Sequence, residues 1–548
     1  MSGKRTHPRW TELIEAHRKG KISRREFLRL SALIGVSVGT AAIMPPWSPP
    51  FAHASAPRRG GVLKVASVVH KISNPAQISW GKASNILRQV AEYLTVTGTD
   101  NITRPLLAEG WRAGEDLKTW TFDLRRGVTF NNGDAFTADD VVFTMKMWLN
   151  KDVNSSMLGL VGSYLSAQGI EKTGEYQIKL HLDRPEIGLP EHFFHYPAFI
   201  LNHRTFEGDF LKAPHGTGPY RLETYEETKI AVLEARSDYW QQGADGKPLP
   251  YLDGMTFVEV GTETAPQLAA LMSGEVDMID LADAGSPDLM LAARKAPRLA
   301  VRSVTTSQVR VLRMRTDLDP WKDNRVRQAI KLCQRRDKIL KLAYFNEGAM
   351  GQDFHVYPGH PEYCPQPTPP YQPEKAKALL EEAGYSDGLT VDINVGADWS
   401  DVMRFAEILK EDAQPAGLNL KIKPMPVSRY WEKWTEVGLG ITPWTHRSLS
   451  TMVLNLAYGV DEEGRPVAWN ETRWVDPEFL ELLNQANGTL DVDRRREIFC
   501  KLENIQQERG SIGIPFWQNL WTVSSKRVKG FEPHPNLYML FNEAYLDA

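Results

Sequence analysis

The chain has 548 residues, more than one hydrophobic core usually serves, so two or three domains are expected. Apolar residues at 42% and charged residues at 24% are ordinary for a water-soluble globular protein and argue against extended disorder or a polytopic membrane protein. Lys+Arg 65 against Asp+Glu 68 leaves a formal charge of -3, with no basic excess to suggest a nucleic-acid binder.

The first segment reads as an address. Nine Lys/Arg fall within residues 1–29, followed by the uncharged run Leu30–Met44 and by small residues at Ala52, Ala54 and Ala56. A basic start, an apolar stretch and small residues at a cleavage point describe an export signal. The apolar run is 15 residues long, short of the roughly 20 that span a bilayer. Ser23-Arg24-Arg25-Glu26-Phe27-Leu28-Arg29 resembles the twin-arginine export motif, with Arg24 and Arg25 as its pair and Arg29 where Lys is common. The working chain then begins near Ala56 or Pro57. Losing the leader's nine positive and three negative charges takes the net charge from -3 to -9, which suits a protein diffusing freely in the periplasm.

In chain order, Gly60–Val69 reads as the first strand and TWTFDL (119–124) as an alternating strand. Asn132-Gly133 marks a turn, and Thr137-x-x-Asp140 is an N-cap signature opening a helix. EHFFH places His192 and His195 on one face if it is helical, but two histidines make half a metal site, so no metal or other cofactor is expected. Gly216-Thr217-Gly218-Pro219-Tyr220 reads as a tight turn leading into a hairpin over 221–235. Ala265–Ser273 predicts a helix, Val276–Ile279 a strand, Asn324–Lys341 one long helix, Pro373–Ala383 another helix and Leu389–Val395 a strand. Alternation of this kind argues for α/β domains. CPQPTPPYQP (364–373) is a stiff connection, and Arg494–Arg496 reads as the solvated face of a helix.

Chemical motifs are few. The G-x-S-x-G match at Gly35–Gly39 falls inside the export run, away from any strand-to-helix turn. Neither H-E-x-x-H nor a phosphate-cradling loop occurs, so no nucleotide hydrolysis is expected of this chain. The three cysteines, Cys333, Cys364 and Cys500, include no C-x-x-C pair and give no support to a disulfide framework or structural zinc; Cys333 and Cys500 read as small buried hydrophobes. Sixteen Trp residues are roughly twice the usual share, and large flat side chains suit a pocket that grips mixed polar and apolar ligands.

An ordered set of segments is similar to the family 5 extracellular solute-binding proteins, the peptide-, opine- and nickel-binding components of ABC importers. It comprises RPLLAEGW (104–111), WTFDLRRGVTFNNGDAFTADDVVFT (120–144), HGTGPY (215–220), SDYW (237–240), LAALMSGEVDMID (268–280), NRVRQAI (324–330) and EKAKALLEEAGY (374–385). The resemblance implies an α/β, two-lobed periplasmic binding protein fold with a hinge, type II-like with an extra inserted subdomain. Lobe I would be 57–100, 210–308 and 514–548, the inserted subdomain 101–209 and lobe II 309–513. It further implies a monomer that is not an enzyme and captures a small-molecule or peptide ligand by hinge closure. Its partners would be the ABC permease and ATPase subunits and, for secretion, the twin-arginine export machinery. An oligosaccharide carrier is the alternative of the same architecture. A secreted hydrolase would need a nucleophile, base and orienter that the motifs do not supply.

Peptide binders of the family commonly pair an Asp with the ligand's amino group shortly after a Trp- or Tyr-containing strand of lobe II. The corresponding stretch, Gly440–Leu449, carries Trp444, His446 and Arg447 and no carboxylate. A guanidinium suits a carboxylate and cannot pair with an ammonium, so an anionic ligand group at Arg447 with Trp444 stacked along it is expected. Trp80, Trp517 and Asn519 complete the candidate ligand-binding set.

Overall fold

A computed structural model describes residues 10–19, 27–28, 30–31, 57–79, 81–261, 263–279, 287–360, 362–461, 463–489 and 491–547. Trp10–Arg18 is helical. Arg24, Arg25, most of the apolar export run and Trp80 lie outside the described residues. Among the described residues no helix is long and apolar enough to cross a membrane. The chain divides into two compact units, Met1–Ser303 with Trp521–Ala548, and Val304–Leu520. The borders lie earlier than the expected 309 and later than the expected 513, because Thr306–Gln308 and Phe516–Asn519 make their hydrogen bonds inside the second unit.

The first unit holds part of a mixed sheet, a four-stranded antiparallel sheet and two two-stranded antiparallel pairs. In the mixed sheet the order is Met278–Ile279, Val62–Ala66, Gly254–Val258, Ile230–Ala235 and Tyr220–Glu226. The first three run parallel and the last two form the expected hairpin. Ala108–Ala113, Thr119–Leu124, Gln177–Leu182 and Leu165–Gly174 form the four-stranded antiparallel sheet, in the stretch where the resemblance puts an inserted subdomain. Thr137 and Asp140 close a capping box on helix Ala138–Leu149. Gly218 is required by packing: a Cβ there would lie 2.6 Å from the Gln89 carbonyl oxygen, and its own N–H donates to Val90 O at 2.8 Å. His192 is buried with Nδ1 2.5 Å from the Tyr164 hydroxyl, and burial pushes its pKa down to about 3. Glu92 is likewise buried, accepting from Tyr239 (2.7 Å) and Trp240 (3.1 Å) of the SDYW stretch; burial raises its pKa to about 7.

The second unit is built on the order Leu418–Met425, Leu389–Gly396, Leu439–Trp444, Leu299–Met314 and Phe516–Ser525. The first three strands are parallel; the Val309–Met314 part of the fourth runs antiparallel to the third. The expected helix over Asn324–Lys341 is two helices, Asn324–Leu332 and Arg336–Tyr344. The break lets each basic side chain reach a different partner: Lys331 Nζ donates to Gln506 O and Gln507 O at 3.0 Å, while Arg336 pairs with Asp353 at 2.6 Å in the interior. Arg495 corrects the reading of the basic run as solvated. It is 2% exposed and pairs with Glu362 at 3.4 Å.

Cys364 and Cys500 form a disulfide across 136 residues, with Cα atoms 5.1 Å apart. This overturns the reading of Cys500 as a free buried hydrophobe. Sequence spacing could not show it, because the Pro-rich connection is brought onto helix Val492–Arg509 by tertiary contacts: Cys364 N donates to Glu503, and Gln507 donates to Pro367 O. Cys333 is buried and free. Closing a loop of that length removes chain entropy worth about 5 kcal/mol from the unfolded state, and at about 2 °C per kcal/mol for a unit this large it raises Tm by roughly 10 °C. Calorimetry of Cys364→Ser/Cys500→Ser is expected to show the second unit melting lower by about that much; an unchanged transition would show that the bond adds no stability.

Candidate functional site

Parallel strands Leu389–Gly396, Leu418–Met425 and Leu439–Trp444 deliver their carboxyl ends to one edge of the second unit. In open α/β sheets that is where ligands bind, since connecting loops there vary without disturbing the sheet. Trp444 is the last residue of its strand, and Thr445–Leu449 leads into helix Ser450–Tyr458.

Two histidines and one serine hold this loop. Ser307 N–H donates to His446 Nδ1 at 2.9 Å. An N–H can only donate, so the His446 proton sits on Nε2. His360 takes the same tautomer, accepting from Tyr357 N–H at Nδ1 (3.0 Å) and donating from Nε2 to the Arg447 carbonyl (2.8 Å). Ser307 Oγ accepts from Arg447 N–H at 3.0 Å and lies 3.2 Å from Arg447 O. Ser307 Oγ also lies 2.9 Å from His446 Nδ1, so this serine ties the histidine to the Arg447 peptide and positions the loop. Arg447 itself is 6% exposed, and its Nη1 donates to Thr445 Oγ1 (2.5 Å) and His446 O (3.0 Å).

Trp444 is packed in the main apolar cluster of the unit, and its indole N–H donates to Glu471 at 2.7 Å. Glu471 also accepts from Thr442 Oγ1 (2.6 Å) and pairs with Arg313 at 3.3 Å. Burial pushes its pKa up and Arg313 pulls it down. Trp517 belongs to the same apolar cluster, edge-on to Tyr357 at 5.8 Å. Asn519 contributes its backbone, donating to Glu347 O and accepting from Tyr344 OH, both at 3.0 Å. The structure thus brings Trp444, His446 and Arg447 together at one edge and places Trp444 and Trp517 among core residues. Sequence reasoning passed over Ser307, His360 and Glu471. Glu471, a lone acid between Trp469 and Trp474, was the one with a readable signal. Among the described residues no group of three or more His, Cys, Asp or Glu could hold a metal ion.

Residues 103–459 match the model of the bacterial extracellular solute-binding proteins, family 5. The chain belongs to this family. This solute-binding protein is the ligand-capturing component of an ABC importer. Its sequence is similar to the glutathione-binding protein GsiB of Salmonella choleraesuis (strain SC-B67), 25% identical over 82% of this chain and 87% of that protein. The periplasmic binding protein DppA of Helicobacter pylori, in complex with the peptide STSA, shares the fold with TM-score 0.76 at 21% identity over 90% of this chain and 99% of that one. So does AgaA with agropinic acid, from A. tumefaciens R10, with TM-score 0.75 at 21% identity, covering 89% and 99%.

Glu471 balances Arg313, whose side chain is fully buried. Stranding a buried guanidinium costs about 3–5 kcal/mol, so Glu471→Ala is expected to lower Tm by several degrees and Glu471→Gln by less. Equal Tm for both variants and the parent would show that the carboxylate is not what neutralises Arg313.

Proposed function

We propose that this solute-binding protein carries a carboxylate-bearing solute, a small peptide or an opine-like compound, and releases it unaltered. The observation that carries the reading is Arg447. Its peptide groups are held on both sides by Ser307 and His360 and its Nη1 by Thr445 Oγ1 and His446 O, so a cation is fixed where three parallel strands end. A planar guanidinium binds a carboxylate through two parallel hydrogen bonds. The glutathione named for the similar GsiB carries carboxylates too. Two chain crossings, at 303/304 and 520/521, connect the units, which suits a hinge whose closed state a bound ligand favours. Nothing in that cycle calls for bond breaking. A charge-assisted bond is worth about 1.5–3 kcal/mol, so calorimetry with glutathione and dipeptides is expected to show affinity reduced roughly 10- to 100-fold in Arg447→Ala. Unchanged affinity would remove Arg447 as the anchor.

We also propose export through the twin-arginine pathway, on the strength of Arg24-Arg25 ahead of the apolar run and of a disulfide that suits an oxidising compartment. Arg24→Lys with Arg25→Lys is expected to leave uncleaved precursor in the cytoplasm on fractionation. Normal export of that variant would point to another route.

A further inference from the structure

Four tryptophans line the same edge of the second unit. Trp399 follows the end of strand Leu389–Gly396, and Trp431 and Trp434 follow the end of strand Leu418–Met425. Successive rings meet edge to face: Trp399 with Trp431 at 5.5 Å, Trp431 with Trp434 at 5.6 Å and Trp434 with Trp469 at 6.0 Å. Trp469 then meets Trp444 at 5.9 Å, so the row is continuous with the strand end that leads to Arg447. Trp431 is 41% exposed and Trp469 38%, with the less exposed Trp434 recessed between them. Gly396 makes room for the first ring, since a Cβ there would lie 2.5 Å from Trp399.

Exposing this much aromatic surface costs hydration free energy, and a contiguous apolar patch marks a surface that something covers. Its place at the carboxyl ends of the parallel strands favours a solute over a protein partner. We propose that Trp399, Trp431, Trp434 and Trp469 form a ring-stacking platform, and that the solute carries a ring with an apolar face at the end opposite its carboxylate. The inference rests on the carrier reading and narrows it. An aromatic side chain and a pyranose share the required chemistry, a ring face of low polarity that packs on indole.

The test is calorimetry of the purified exported protein with Gly-Gly, Gly-Trp and glucuronic acid. Gly-Trp or glucuronic acid is expected to bind at least tenfold tighter than Gly-Gly, and whichever does identifies the ring class. Trp431→Ala/Trp469→Ala is expected to erase that preference. Trp431→Phe/Trp469→Phe is expected to restore part of it, which a merely structural role would not do. A ring preference that survives the alanine pair, or none in the parent, overturns the platform while Gly-Gly binding upholds the carrier reading. Normal binding by the alanine pair with loss of uptake in cells also overturns it, in favour of a permease contact. If no solute binds, glutathione included, the carrier reading fails with it.

Discussion

The second unit depends on one buried carboxylate. Glu471 arrives from a loop and joins residues of two neighbouring strands: Arg313 on one, Thr442 and Trp444 on the other. A charge taken out of water must be neutralised and hydrogen-bonded or it costs several kcal/mol. Each partner of Glu471 therefore has little freedom to move. Trp444 cannot turn outward without leaving a carboxylate oxygen unpaired, and its fixed ring sets the start of the loop bearing His446 and Arg447.

The candidate edge made this way is held in place by the protein's own contacts. The Arg447 peptide is held through Ser307 and His360, and the first ring of the Trp row is seated over a glycine. Preorganisation of this sort cuts the ordering cost of binding, so more of the gross contact energy appears as affinity. On the proposed reading it also assigns work by position: a cation at one end of the edge fixes polarity, and aromatic rings at the other tolerate varied shapes.

What was legible in the sequence was local. The capping box of Thr137 and Asp140 spans four residues, the hairpin over 220–235 one turn, and helix Pro373–Glu382 announces itself with a proline in its first turn. What was not legible needed two distant segments at once. Glu471 reaches Trp444 from 27 residues away, and Cys364 reaches Cys500 from 136. The periodicity of Asn324–Lys341 runs smoothly through the break after Leu332, because both helices bury the same kind of face while their basic side chains serve different partners. Trp residues were the least readable: Trp444 and Trp517 fill the core while Trp431 and Trp469 are exposed, and composition gives all four the same weight.

The buried charges complete the picture of a clamp half. Arg310 pairs with Asp401, Arg313 with Glu471, Arg336 with Asp353 and Arg495 with Glu362, every pair lying within the second unit. Such pairs add little net stability over apolar packing, but breaking any one is expensive. Their effect is to forbid alternative packings of that unit. These four pairs neutralise themselves without a ligand charge. On the proposed carrier reading, a solute's charge acts instead at the Arg447 edge, where it biases a conformational equilibrium by the difference in its contacts between the two states.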